Sequence, residues 1–591
     1  MRDVIVIGAG GGGPVVAKEL AARGLDVLLL EAGPRFANPE KQWRHLENDA
    51  NNPVTGYLRV GPSDRSKSGW LREIPQNSFL WQVSAVGGTT LHYYGNCPRA
   101  TPGVFHGYDK PDRRAYDRKH EFPFTYRDLI PYYEWVEHTL PVKTAAMGTK
   151  EEAFLHAAAK MGLPVQKSKD ATRPAHRPQE NAILQPHGTA GRTNDPKKLR
   201  YPQARGCTFC GFCFQGCYEP RGAPRNLAAK RSTDNSYVPM ALTAGRWHKG
   251  GRAVKLVADA FVTSIETETK GSATVARGVT WEDTRTGDTH SEEAKVVVMS
   301  GGCVENPRLW LNSGLPNPND WVGRGFTDHY FDWVIGVLPR YTGSSKGPGS
   351  AARIDYPGRG GLENVGIPPA LQAFSATFSD AGMAGHYNNG KTRKGGADTL
   401  GRLVGKDLRR LLHDVDRLLN VLVITDDDVE AQNRVTLSQQ LPPDEHGAVP
   451  KVEFHQRKRT ARTKSNREFM TRRAVDLLRK AGAKQIHRLD WPPLILHVQS
   501  TMRMGSSPAN SVLAPSGEAR FVKRLFIADN SALPNGIGGP NPTLTSQALA
   551  TRTAESIFVR YFGGHRWVTH ESPVVSTDRR VTHGLQKLGL D

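Results

Sequence analysis

Cysteine is scarce in this chain, with six among 591 residues. That excludes a disulfide framework, all the more because four of them crowd between Cys207 and Cys217. Long apolar runs are missing as well. None approaches the ~18 residues that a membrane-spanning helix needs, so no membrane span is expected. Acidic side chains are outnumbered, 58 against 79 Lys plus Arg, leaving a formal charge of +21. Such an excess permits an anionic partner, but no zinc-finger spacing or other nucleic-acid module accompanies it, and no nucleic acid is expected. No self-similar period of roughly 20–50 residues is found, which excludes solenoids and propellers. What remains is an ordinary globular mix, 38% hydrophobic and 23% charged, with 60 Gly and 40 Pro that point to many loops and turns. The first strand begins at Asp3 with no signal-peptide pattern before it. A cytoplasmic protein is therefore expected, with export on a partner subunit as the alternative.

The opening residues carry the first chemistry. Asp3 to Ile7 is a short β-branched run that reads as a buried parallel strand. It enters Gly8-Ala9-Gly10-Gly11-Gly12-Gly13, and a helical stretch from Pro14 to Arg23 follows. Val27 to Leu30 reads as a second strand, closed by Glu31. In this pattern Gly8 allows a tight turn, Gly10 lets backbone approach a pyrophosphate, and Gly13 lets helix and strand pack closely. The helix N-terminus offers free N–H groups to the phosphates. Glu31 stands where a carboxylate accepts hydrogen bonds from a ribose diol. The strand before and the acid after turn a weak glycine motif into a strong dinucleotide fingerprint. It does not separate FAD from NAD.

Four further stretches complete the pattern. They are Val86-Gly87-Gly88-Thr89-Thr90-Leu91-His92-Tyr93-Tyr94-Gly95-Asn96, then His497 to Gly505, then Leu525 to Ser531 with Gly539-Pro540-Asn541-Pro542-Thr543. Together with the N-terminal fingerprint they resemble the glucose–methanol–choline (GMC) oxidoreductases, from Met1 to about Phe562. The resemblance implies α/β plus α+β architecture: a Rossmann-like FAD-binding domain of GMC type, with a discontinuous substrate-binding domain built on an antiparallel sheet. It implies FAD as cofactor and an alcohol as hydride donor to flavin N5. It makes His497 the active-site base and Asn541 its partner. Gly87, Gly88, Asn96, Asp529, Pro542 and Thr543 fall in stretches matching the family's FAD-contacting motifs. The His–Asn pair looks like that of the pyranose oxidases, glycoside oxidases and gluconate-type dehydrogenases, so a secondary hydroxyl of a sugar, sugar acid or glycoside is the expected substrate. A simple or steroid-like alcohol is the alternative. A non-catalytic flavin-binding partner subunit is another, and intact His497 and Asn541 argue against it. At His92 two roles are open. Pyranose oxidases join an aligned His covalently to the flavin, whereas other members use it for packing or hydrogen bonding, the reading favoured here.

These roles agree with elementary chemistry. Hydride departure from an alcohol must be coupled to removal of its proton. A neutral imidazole is a suitable acceptor. Asn541 cannot take a proton, but its amide can donate to the alcohol oxygen.

Cys207, Cys210, Cys213 and Cys217 have the spacing C-x2-C-x2-C-x3-C, which bacterial ferredoxins use for iron–sulfur ligation, although Tyr218 stands where they have Pro. Iron–sulfur, zinc and structural cysteines, reduced or disulfide-linked, all stay open. Gluconate, fructose and glucose dehydrogenases of the resembling family carry a cluster near a comparable segment. A cluster would imply one-electron transfer to a haem or quinone partner, so a small subunit or a cytochrome or quinone acceptor is the partner to expect. Cys97 and Cys303 read as small core residues.

Along the chain, 1–110 reads as a first FAD-binding segment and 111–205 as a helical, lid and excursion segment. Residues 206–340 hold the cysteines and a second FAD-binding segment, and 341–490 the substrate-binding domain. Residues 491–565 hold the catalytic and third FAD-binding segment, and 566–591 read as a tail. Gly343 to Gly366 reads as a mobile loop. The basic run from His455 to Arg473 reads as the start of a surface helix with a solvated basic face.

Overall fold

The structure is a computed structural model. It describes the chain except residues 37–55, 63, 65, 76–77, 107–119, 189–192, 378–395, 456–458 and 492–493. Strand β1 (Arg2–Ile7), helix α1 (Gly13–Ala22) and strand β2 (Val27–Leu30) form the opening βαβ unit. β1 pairs in parallel with β2 on one side. On its other side it pairs with residues 294–299 of a distant strand. β3 (Lys255–Val257) extends the sheet beyond β2. β4 (Ala260–Lys270), β5 (Ala273–Asp283) and β6 (Thr289–Met299) form an antiparallel meander whose last strand runs beside β1. Leu525–Ile527 closes the parallel part on β6. The parallel strands are buried on both faces, which is why Val4–Ile7 and Val27–Leu30 are continuously apolar. Helix Tyr126–Thr139 buries Leu129, Tyr133 and Val136 in the same core. The cap at its start is Thr125, which accepts from the Asp128 amide while Asp128 accepts from the Thr125 amide.

A second, seven-stranded sheet stands beyond it. Its middle strands are β7 (Asp332–Val337), β8 (Ala352–Tyr356), β9 (Gly360–Val365) and β10 (Leu418–Thr425), in spatial order β7-β10-β9-β8, all antiparallel. The edges are Ala175–Pro178 beside β8, and Gln485–Arg488 with Thr399–Leu400 beside β7. Alternation sorts the side chains. Val334, Ile354, Val421 and Val423 face a core covered by helix Thr149–Lys160 and by helix α2 (Ala461–Ala481). Trp333, Leu422 and Ile424 face the other way. The sheet thus draws on residues 175–178 and 332–337, both outside the 341–490 segment expected to hold it.

Three sequence expectations are corrected here. The Gly-rich stretch 343–366 is no mobile loop, because β8 and β9 lie in it and every residue of both is buried. Its glycines serve close packing: a Cβ on Gly360 would stand 2.1 Å from the Ile424 carbonyl oxygen. The basic run is only partly a solvated face, with Arg472 exposed and Arg473 half-exposed, and residues 456–458 lie outside the described residues. Arg459 and Arg467 are buried, and Arg462 nearly so, each paired with acids. The acids are Asp426, Asp427, Asp428, Glu430, Asp332 and Asp490, which offer a carboxylate where each guanidinium would meet apolar surface. Finally, 566–591 is not a free tail. Arg579–Leu588 forms a helix that buries Val581 and Leu585, and Ser576 accepts from Asn226 and Arg231.

Candidate active site

A cavity of about 310 Å³ runs between the two sheets. Gly8, Gly10, Glu31, Gly88, His92, Asn96, His497, Asp529, Asn541, Pro542 and Thr543 all line it. Of the candidate cofactor residues, Gly13 and Gly87 do not, and they shape the wall from behind. A Cβ on Gly13 would meet the Gly8 carbonyl oxygen at 2.0 Å, so helix α1 could not sit against the turn. Gly10 is different. A Cβ there meets protein no nearer than 4.0 Å, at Gly88, so protein packing does not demand a glycine and an occupant of the cavity would. Helix α1 points its N-terminus at this loop. Glu31 accepts from the amides of Ala9 (2.8 Å) and Gly33 (2.9 Å), and burial pushes its carboxyl up to about 7. The turn, the helix N-terminus and the Glu31 carboxylate fit the pyrophosphate and ribose of a dinucleotide.

Asp529 does more structural work than a cofactor contact requires. One carboxylate oxygen accepts from the Gly302 amide and Asn306 Nδ2, the other from the Ser531 amide and hydroxyl. It therefore ties the start of helix Gly302–Asn312 to the strand Leu525–Ile527. Helix Thr543–Tyr561 opens directly after Asn541 and Pro542, so its N-terminal partial positive charge also faces the cavity.

The catalytic candidates meet at the far wall. Thr327 and Gln499 exchange backbone hydrogen bonds (3.1 and 2.9 Å), which lays residues 327–329 beside 497–499. His329 thereby comes to His497, with Nδ1 to Nδ1 at 2.9 Å. His329 Nε2 lies 3.0 Å from the Gly536 carbonyl oxygen, which can only accept. Burial holds both rings well below the ordinary imidazole range, His329 at about 3, so both are neutral. One proton assignment satisfies the chain. His329 Nε2–H donates to Gly536, His497 Nδ1–H donates to His329 Nδ1, and His497 Nε2 keeps its lone pair. The Asp328 carboxylate accepts from the His497 amide (2.8 Å) and fixes its backbone.

Asn541 is oriented from behind. Its Oδ1 accepts from Arg353 Nη1 at 3.3 Å, which turns Nδ2 toward His497 Nε2 at 3.4 Å. Arg353 is in turn held by Asp355 and Glu363, and Glu363 accepts from Asn96 Nδ2 at 3.1 Å. Arg353 on β8 and Glu363 on β9 are cross-strand partners, as are Glu363 and Leu422 on β10, so one row of the sheet delivers them. His497 Nε2 and the Asn541 amide thus aim at one point.

Sequence reasoning missed His329, Arg353, Glu363 and Asp328. The alternation of β8 and β9 would have placed Arg353 and Glu363 on one face. Nothing in the chain singles out His329 among 20 histidines.

His92 sits in an aromatic wall, its ring centroid 5.2 Å from Trp81, and its Nδ1–H donates to the Phe214 carbonyl oxygen at 2.8 Å. Burial lowers its imidazole to about 4, so it is neutral. Phe214 comes from the cysteine segment and lines the cavity. All four thiols there are free. Cys207 and Cys213 are buried beside Ile183 and Ala229, with Cys217 partly buried against them. Burial raises the Cys207 and Cys210 thiols, and Cys213 to about 11. Among the described residues no three of these sulfurs lie within 4.8 Å of one another. An iron–sulfur reading gains nothing beyond the spacing that suggested it. Cys97 and Cys303 are buried, as expected.

Residues 174–331 match the N-terminal family model described as GMC oxidoreductase, and 429–550 match the C-terminal one. The 6'''-hydroxyparomomycin C oxidase of Streptomyces lividus is 27% identical over 94% of this chain and 91% of its own. The C-glycoside 3-oxidase of Arthrobacter globiformis is 28% identical over 94% of each. The solved formate oxidase of Aspergillus oryzae superposes with a TM-score of 0.59 at 15% identity, over 95% of this chain and 99% of that one.

Proposed function

Because the chain belongs to the GMC oxidoreductase family, enzymes acting on CH–OH donors, we propose that it oxidises a secondary hydroxyl of a sugar, sugar acid or glycoside, with FAD as cofactor and His497 as base. FAD, when bound, supplies the hydride acceptor at flavin N5. Everything else falls to the protein. The substrate O–H donates to His497 Nε2, and the same oxygen accepts from Asn541 Nδ2. As the C–H bond breaks, the proton passes to Nε2 and the carbonyl forms, with the Asn541 amide stabilising the negative charge that grows on oxygen. His329 takes the Nδ1–H bond throughout, so the imidazole keeps its orientation. His92 is read as a packing and hydrogen-bonding residue. The Gly8–Gly13 turn and Glu31 hold the pyrophosphate and ribose.

The observation that carries this reading is the convergence of His497 Nε2 and Asn541 Nδ2, 3.4 Å apart, inside the cavity that the glycine turn also lines. The sugar class is supported by the two relatives that act on a glycoside and on an aminoglycoside. His497→Ala should retain its FAD absorbance and reduce it at least ~100-fold more slowly in anaerobic stopped flow. An undiminished rate would remove His497 from the role. The substrate class is checked by mixing the oxidised enzyme anaerobically with sugars, sugar acids, glycosides and short diols. Bleaching by the diols alone would overturn the sugar assignment.

A further inference from the structure

The wall of the same cavity holds a group that the proposed chemistry does not use. His446 lies in the loop between strands Arg434–Leu437 and Pro450–Glu453, and only 3% of its surface is exposed. Neither ring nitrogen has a hydrogen-bond partner. Its Nε2 points between two carboxylates, 3.6 Å from Glu282 Oε1 on β5 and 3.8 Å from Glu445 Oε1. The three atoms lie within 4.8 Å of one another. Each distance is too long for a hydrogen bond. Each is close to the ~3.4 Å that separates two donors on one tetrahedral ion with bonds of about 2.0–2.2 Å.

The donors are held in place from outside. The His446 ring stacks on Phe261 at 3.8 Å and 4°, with Trp70 edge-on at 5.2 Å. Trp70 Nε1 donates to the same Glu445 oxygen at 2.9 Å, an outer-shell bond of the kind that orients a ligand. Nearby cations are engaged elsewhere. Arg72 is paired with Glu305, Arg308 with Asp444, and Lys67 Nζ donates to the carbonyls of Thr284 and Arg285. Glu445 is 41% exposed and Glu282 20%, so an ion can enter from solvent and keep water in its remaining position.

We propose that His446, Glu282 and Glu445 form a binding site for a divalent transition metal ion of the zinc type, which clamps the 438–449 loop onto β5. One imidazole and two carboxylates select zinc over calcium or magnesium, which prefer all-oxygen sites. The clamp backs Phe261, whose neighbours Ala260 and Val262 line the cavity.

The test is calorimetric titration of the full-length, EDTA-dialysed holoenzyme with Zn²⁺. One saturable equivalent is expected, weakened roughly tenfold or more in Glu282→Gln and in Glu445→Gln. Saturating Zn²⁺ should raise the melting temperature of the parent but not of Glu282→Gln. His446→Phe keeps the stacking and should bind none. If that variant does not fold, the two carboxylate variants decide alone. No saturable equivalent, an equivalent unchanged in both carboxylate variants, or Ca²⁺ binding as tightly as Zn²⁺ would each overturn the site.

Discussion

An imidazole can act as a base only through the nitrogen that lacks a proton, and at His497 that choice belongs to a neighbour. His329 presents a lone pair at 2.9 Å because its own proton is committed to Gly536. Replacing it with Leu removes the acceptor and lets both His497 tautomers form. His329→Leu should lower kcat by roughly 10–100-fold, with less effect on KM. The pH profile carries the finer readout. Burial, His329 and Arg353 all hold the His497 pKa well below its ordinary 6.5. The parent's kcat/KM should therefore fall on the acid side only well below pH 6.5, where the base becomes protonated. His329→Leu should move that limb upward, toward the ordinary value. An unmoved limb with kcat intact would show that His329 merely packs.

The glycine turn sits between two elements that belong to opposite ends of the chain. A Cβ on Gly12 would stand 1.8 Å from the Ala528 carbonyl oxygen, at the end of strand Leu525–Ile527. Gly12→Ala must push helix α1 and residue 528 apart. That displaces the cradle from Asp529 and from the start of helix Thr543–Tyr561. The variant is expected to purify with FAD content several-fold below the parent, read as the ratio of flavin to protein absorbance. The same reasoning explains the 343–366 stretch. Gly counts alone suggest mobility, but a glycine is equally the residue that lets two strands approach, and Gly360 stands under Ile424 for that reason.

Charge is organised at the scale of the whole molecule. The +21 excess suggests an anionic partner, yet many arginines are internal. Arg467 donates to the Phe331 and Trp491 carbonyls and to Asp490, joining helix α2 to the segments that lead into β7 and toward His497. Its loss leaves Asp490 and Asp332 buried without that partner. Arg467→Leu should destabilise the protein by about 3–5 kcal/mol, seen as a lower denaturation midpoint. A change confined to activity would contradict this structural role. Among the described residues no helix is long and apolar enough to cross a membrane, in line with the composition.

Local rules made the βαβ unit legible, because a strand, a turn and a helix N-terminus within about 30 residues constrain one another through backbone geometry alone. His497 and Asn541 stood out only through the resemblance of the short stretches that carry them to a known family, not through local geometry. Local rules could not show the second sheet's membership, since strands 175–178 and 332–337 join it through pairing with residues far along the chain. They misread Arg462 and Arg467 of helix α2, because whether a guanidinium faces water or a carboxylate depends on what packs against it. His329, Arg353 and Glu363 were decided by tertiary structure alone. A hydrogen-bond chain and a cross-strand row are relations between distant segments, and a linear pattern records residue types but not which of them are brought within 3 Å.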